Sequence, residues 1–134
     1  MTVTTHWKEK LLFEAVQEHA GTVTMDGHLQ AGMSPKALLL AGLAGCSAVD
    51  VVEILEKMRV PFSGLTVVSA TDQTAEHPRV FTDIDLLYTV TTDAANEDKV
   101  RKAIDLSLEK YCGVAAMLRK NSAIRYRFEC VQPA

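Results

Sequence analysis

Two of the three cysteines in this chain stand where a thiol could do chemistry. Cys46 lies inside the long apolar segment AGLAGCSAVDVVEIL. Cys112 lies 66 residues later in LEKYCGVAAML, where a charged amphipathic stretch breaks at a glycine. Two such thiols, brought together by a fold, make a redox pair: one is oxidised to a sulfenic acid and the other condenses with it to a disulfide. The competing role of any free cysteine is packing as a small hydrophobe. That is the reading for Cys130, on the apolar side of the run IRYRFECV. Cys46 has Ser47 beside it and Asp50 one helical turn beyond, a polar cluster on an otherwise apolar face. A buried carboxylate there demands a partner. A nearby carboxylate also disfavours a thiolate, so a reactive Cys46 needs a cation or hydrogen-bond donors from elsewhere, with Arg79, His77, Arg119 and His28 as candidates. Cys112 precedes Gly113 where a new helical turn can begin, and backbone N–H groups at such a place stabilise a thiolate. Tyr111 reads as core or pocket wall rather than as a catalyst.

The elements that must position these thiols can be read from periodicity. Thr2 to Lys8, Leu11 to Gln17 and Thr22 to Met25 read as short strands, punctuated by Gly21 and by the Asp26-Gly27 turn signal. Ser34 and Pro35 then open a helix as N-cap and first residue. The helix is expected from Pro35 to about Arg59, roughly 37 Å long, with Pro61 as its stop. Its first half is apolar on all sides and thinned by Gly42, Ala44, Gly45 and Ala48, so it must be packed nearly all round. Two strands follow, Leu65 to Thr71 and Val80 to Thr92, the second pointing Ile84, Leu86, Tyr88 and Val90 to one side. A second, amphipathic helix begins near Asp93 to Asn96 and is interrupted at Gly113, and Val114 to Leu118 can form a further helical turn. Ser122 to Val131 alternates as a half-buried antiparallel strand. The order βββ-α-ββ-α-β describes an α+β fold with an antiparallel sheet and a long buried central helix, in a single domain of residues 1–134. Covering that helix on all sides calls for a homodimer that wraps two copies together.

Composition narrows the function classes. The chain has 134 residues, 48% hydrophobic and 23% charged, with a formal net charge of -3. No basic cluster forms a footprint for nucleic acid. The N-terminal MTVTTHWKEK lacks the apolar core of a signal peptide, and the apolar run from Ala37 to Val49 is too short to span a bilayer. The expected setting is therefore the reducing cytoplasm, with no membrane partner, and three cysteines do not suit a secreted disulfide framework. No CxxC, HExxH or phosphate-cradling glycine loop is present. The chemistry expected is therefore free of metal and cofactor.

GMSPKALLLAGLAGCSAVDVVEIL together with LSLEKYCGVAAML, and PRVFTDIDLLYTV between them, resembles the family of osmotically inducible protein C and the organic hydroperoxide resistance proteins over essentially the whole chain. The resemblance implies an intertwined homodimer with the long helices at its centre. It also implies thiol-dependent reduction of organic hydroperoxides, with Cys46 as the peroxidatic and Cys112 as the resolving thiol and a small external dithiol as reductant. The peroxidases of that family carry a glutamate directly after the helix-opening proline and an arginine in the N-terminal strands. Here the first position is Lys36, and Met1 to Met33 contains no arginine. In this the chain is similar to the branch described as predicted redox proteins or regulators of disulfide formation. The alternative function is non-enzymatic: binding of a small apolar or lipid-like molecule in a pocket at the dimer interface, with the cysteines as redox tags or relics.

Overall fold

The computed structural model describes residues 1–134. They divide into two compact units, Met1–Leu40 and Ala41–Ala134. The first unit is a meander of three antiparallel strands in the order β1-β2-β3: β1 (Val3–Glu9), β2 (Leu12–Gln17) and β3 (Gly21–Asp26). The Asp26-Gly27 turn forms as its sequence predicts, and Asp26 does more than turn the chain. Its carboxylate accepts N–H bonds from His28 at 2.8 Å, Ala31 at 3.0 Å and Gln30 at 3.3 Å. Those bonds, the one from His28 foremost, hold its pKa below the usual carboxylate value. Gly32 follows where β3 leaves no room for a side chain, because a Cβ there would meet the Thr24 carbonyl oxygen at 2.6 Å. The unit ends inside the first turn of α1 (Ala37–Lys57). Ser34 caps that helix as expected, its Oγ accepting from the Ala37 N–H at 3.2 Å. Regular helix begins two residues later than the proline suggests, because Ala37, Leu38 and Leu39 first donate to Ser34, Pro35 and Lys36 in tighter i→i+3 bonds.

The second unit holds the rest of α1 and a separate three-stranded sheet, β4 (Gly64–Gln73), β5 (Phe81–Thr91) and β6 (Ile124–Val131), in that order. Between β5 and β6 run a single 3₁₀ turn (Ala94–Asn96), α2 (Glu97–Leu106), a π-helical turn (Ser107–Tyr111) and α3 (Gly113–Leu118). The chain therefore has two sheets where one antiparallel sheet was expected, and α3 forms where a further helical turn was read at Val114 to Leu118. A second correction concerns β6. It pairs with β5 in parallel, Ile84 opposite Ile124 through Thr91 opposite Val131. Alternation of side chains is the same in both directions of pairing, so the sequence could not distinguish them. The helical crossover of some thirty residues from 92 to 123 is what a parallel pair requires. The faces themselves fall as predicted: Ile84, Leu86, Tyr88 and Val90 are buried, joined by Val100, Ala103 and Ile104 of α2.

The cover expected all round the long helix is not supplied by its own chain. Within one chain α1 buries a single stripe, Leu43, Ser47, Val51 and Leu55, at four-residue intervals. Leu39 and Val49 remain 49% and 58% exposed. By length and composition the 21-residue helix is apolar enough to cross a membrane, with 22% of that stretch buried inside the chain. The 13-residue run counted from sequence understates it, because Val51, Val52, Ile54 and Leu55 continue the apolar pattern beyond Asp50. The helix also stops differently from the expectation. Arg59 adopts the left-handed conformation at φ 57°, the Val60 N–H closes on the Leu55 carbonyl at 2.9 Å and the Arg59 N–H on Glu56 at 3.0 Å. This paired closure ends the helix before Pro61 is reached. A non-glycine residue in that conformation is strained by roughly 1–2 kcal/mol, part of which glycine returns as extra unfolded-state entropy. Arg59→Gly is therefore expected to stabilise the fold by about 0.5–1 kcal/mol, read from the urea midpoint. Leu55→Ala, at the buried stripe, is expected to cost about 2–4 kcal/mol in the same assay.

Candidate functional site

Both cysteines singled out by the sequence lie in the second unit, and the structure brings them together. Cys46 and Cys112 are near enough for each to act on the other's thiol, and both are free. Cys46 is half-buried on α1, whereas Cys112 is 4% exposed. Cys130, set aside as core, lies half-buried on β6.

The position of Cys112 comes from the π turn. Its N–H donates to the Ser107 carbonyl at 2.7 Å, five residues back, where an α-helix would bond four back. The extra residue rotates Cys112 by about 100° relative to a continued α-helix. The chain then turns extended at Cys112 (φ -75°, ψ 102°) and re-enters helix at Gly113, so that Cys112 becomes the N-cap of α3. Its Sγ accepts the Ala115 N–H at 3.4 Å, the backbone donor that the sequence led us to expect. Burial dominates all the same. It pushes the Cys112 thiol up to about 11; the Ala115 N–H opposes this, while the neighbouring Cys46 and the charge of Asp50 add to it. Cys112 is thus held as a thiol.

Beside the pair runs a chain of buried polar groups. The Tyr88 hydroxyl lies 2.6 Å from Ser47 Oγ, Ser47 Oγ lies 2.8 Å from Ser107 Oγ, and Ser107 Oγ donates to Asp50 Oδ2 at 2.9 Å. An ionised Asp50 is an acceptor only, which orders the whole chain: Ser107 donates to Asp50, Ser47 to Ser107 and Tyr88 to Ser47. Tyr88 is fully buried, and burial pushes its phenol up to about 12, the Ser47 hydrogen bond opposing. Sequence reasoning found Ser47 and Asp50 and the need for a partner, but missed Ser107 and Tyr88. The signal was present as one serine on the apolar side of α2's continuation and one tyrosine among the inward aliphatics of β5.

Of the four candidate activators, Arg119 is engaged elsewhere, its guanidinium donating to the Leu108 carbonyl. His77 and Arg79 lie in the β4–β5 connection. His28 belongs to the first unit, in the Asp26 turn. A cavity of about 420 Å³ opens next to Asp50, walled by Ile54, Met58, Leu106 and Tyr111 and rimmed by Lys57 and Lys102. Tyr111 is thus a pocket wall, one of its two predicted roles.

Residues 26–127 match the family model described as OsmC-like protein. The chain belongs to the OsmC-like family. It is 38% identical over 126 residues to the protein YhfA of Escherichia coli K12, covering 93% of this chain and 94% of that one. Its fold is shared with an OsmC-like protein from Mycoplasma pneumoniae, with a TM-score of 0.84 and 18% identity over 97% of this chain and 96% of that one. It is shared also with the organic hydroperoxide resistance protein OhrB of Bacillus subtilis, with a TM-score of 0.64 and 13% identity over 96% and 98% of the two chains.

The raised thiol and phenol have a consequence for stability. A group whose folded pKa lies above its unfolded value contributes fully below the unfolded value, and that contribution is lost as pH rises through the folded one. Cys112 moves from 9.0 to about 11 and Tyr88 from 10.0 to about 12. The urea midpoint should therefore fall as pH is raised from 9 towards 11, and fall less in Cys112→Ala. Alkylation of Cys112 by iodoacetamide, followed by mass spectrometry, should stay slow until that same range.

Proposed function

We propose that the chain is a cofactor-free thiol peroxidase acting on organic hydroperoxides, with Cys46 as the nucleophile and Cys112 as the resolving thiol. The observation that carries this reading is that the fold places two free thiols as neighbours, Cys112 buried and Cys46 half-buried. Cys46 is the more accessible of the two, which suits the thiol that meets the peroxide. In this role the Cys112 S–H supplies a donor where the family's peroxidases use an arginine and a glutamate.

The Cys46 thiolate attacks the distal oxygen of ROOH. The O–O bond breaks, Cys46 becomes a sulfenic acid, and the departing alkoxide takes up a proton to leave as ROH. The Cys112 sulfur then attacks the sulfenic sulfur, its proton leaves with the displaced hydroxide as water, and a Cys46–Cys112 disulfide forms. An external dithiol restores both thiols by exchange and is itself oxidised to a disulfide. The apolar setting of Cys46 on α1 favours organic over hydrogen peroxide. The protein works in the cytoplasm as a homodimer, in which a second copy covers the exposed face of α1 that includes Val49.

With tert-butyl hydroperoxide and dithiothreitol, wild type should consume peroxide and Cys46→Ser should fall to the buffer rate. Cys112→Ser should form a sulfenic acid, trapped by dimedone, that does not close to a disulfide. Peroxide loss by wild type no faster than in buffer would sink the reading. Val49→Asp should shift the dimer towards monomer in analytical ultracentrifugation.

The cavity beside Asp50 favours a second reading, binding of a small molecule with an apolar body, since Ile54, Met58, Leu106 and Tyr111 wall it between the charged Asp50, Glu53, Lys57 and Lys102. Retained binding of an apolar fluorophore by a Cys46→Ser protein whose parent has no peroxidase activity would select it.

A further inference from the structure

The approach of the two thiols depends on one residue that belongs to neither of their motifs. Ser107 is fully buried. Its carbonyl accepts the Cys112 N–H at 2.7 Å and so closes the π turn that aims Cys112. Its hydroxyl reaches in the other direction, to α1. It lies 2.8 Å from Ser47 Oγ, 3.3 Å from the Ser47 carbonyl and 2.9 Å from Asp50 Oδ2. Ser47 and Asp50 stand one and four positions beyond Cys46, on the same helix. The backbone of Ser107 therefore holds one cysteine, and its side chain holds the helix that carries the other. Asp50 fixes the direction of that link, because a carboxylate accepts only and draws the Ser107 proton to itself. Ser47 then donates to Ser107, and Tyr88 closes the chain at 2.6 Å from the far side. A hydrogen bond to a charged group, made away from water, is the stronger kind.

We propose that Ser107 and Asp50 are positioning residues for the cysteine pair: the hydrogen-bonded bridge between them sets the separation and mutual aim of Cys46 and Cys112 and so raises the effective concentration of one thiol towards the other. This rests on the reading that the two cysteines close to a disulfide, but it does not require that a peroxide be the oxidant. It also gives the buried polar chain a role. A hydrophobic core of this size gains nothing from four polar groups in a row, whereas a pair of reacting atoms gains a great deal from fixed geometry.

The test uses glutathione as oxidant. The reaction is Cys46–SH + Cys112–SH + GSSG → Cys46–S–S–Cys112 + 2 GSH, with two electrons passing from the protein to glutathione. The dithiol–disulfide ratio is read by mass spectrometry across GSH/GSSG buffers at pH 7. Asp50→Asn and Ser107→Ala should each shift the equilibrium towards the dithiol by roughly tenfold, the worth of one charge-assisted bond. Glu129→Gln on the exposed face of β6 should not move it. Asp50→Asn is isosteric and half-buried, so it serves even if Ser107→Ala fails to fold; the urea midpoint of each variant is checked first. Folded variants that keep the wild-type equilibrium overturn the proposal while leaving the redox pair standing. A wild type that stays dithiol across the whole range overturns the redox pair, and the bridge with it.

Discussion

Ser107 Oγ lies between Ser47 and Asp50 in a place from which water is excluded, and each of those contacts depends on the next. A hydroxyl stripped of water and left without a partner costs on the order of 1–3 kcal/mol. The chain Tyr88–Ser47–Ser107–Asp50 avoids that cost for its three hydroxyls only while α1, β5 and the π turn keep their present positions. None of the buried side-chain polar atoms lacks a partner. The arrangement thus couples three elements distant in sequence through groups that tolerate little displacement. Hydrophobic burial of Leu43, Val51 and Leu55 holds α1 to the core; the hydroxyls decide its register there. The cysteines inherit that register.

Much of this was legible in the sequence, and the reasons differ from element to element. Period-two and helical patterns located β5, β6 and α2 and their inward faces, because burial imposes those periods wherever one face meets a core; α1 was legible from its Ser34-Pro35 start and its apolar run, but its inward stripe was not. The direction of β6 was not legible, since parallel and antiparallel strands alternate alike and only tertiary pairing decides between them. The π turn was hidden for a related reason: an insertion of one residue in a helix leaves residue types unchanged, and Gly113 marked only that something breaks there. Cys46 and Cys112 were identified from their settings and from the family motif. Ser107 could not be, because a serine at the end of an amphipathic helix is unremarkable until its partner from α1 is known.

On the proposed reading, one environment gives the two thiols different roles. Cys112 sits deeper, beside Asp50, and keeps its proton. Its proximity to Cys46 then turns from a liability into a resource, since a protonated thiol is a hydrogen-bond donor. Such a donor is weaker than a guanidinium and lacks its charge. Lys36, which stands where the family's peroxidases carry glutamate, belongs to the first unit.

The parallel pairing of β5 with β6 bears on when the pair can assemble. Strands that run the same way cannot be joined by a tight turn, so the 92–123 segment is a closed loop whose two ends are fixed only once β6 has docked. Cys112 rides in that loop and Cys46 on a helix made much earlier in the chain. Contacts of such long sequence separation form slowly, after the local ones. During synthesis the two sulfurs therefore have no template for meeting until the last strand has emerged.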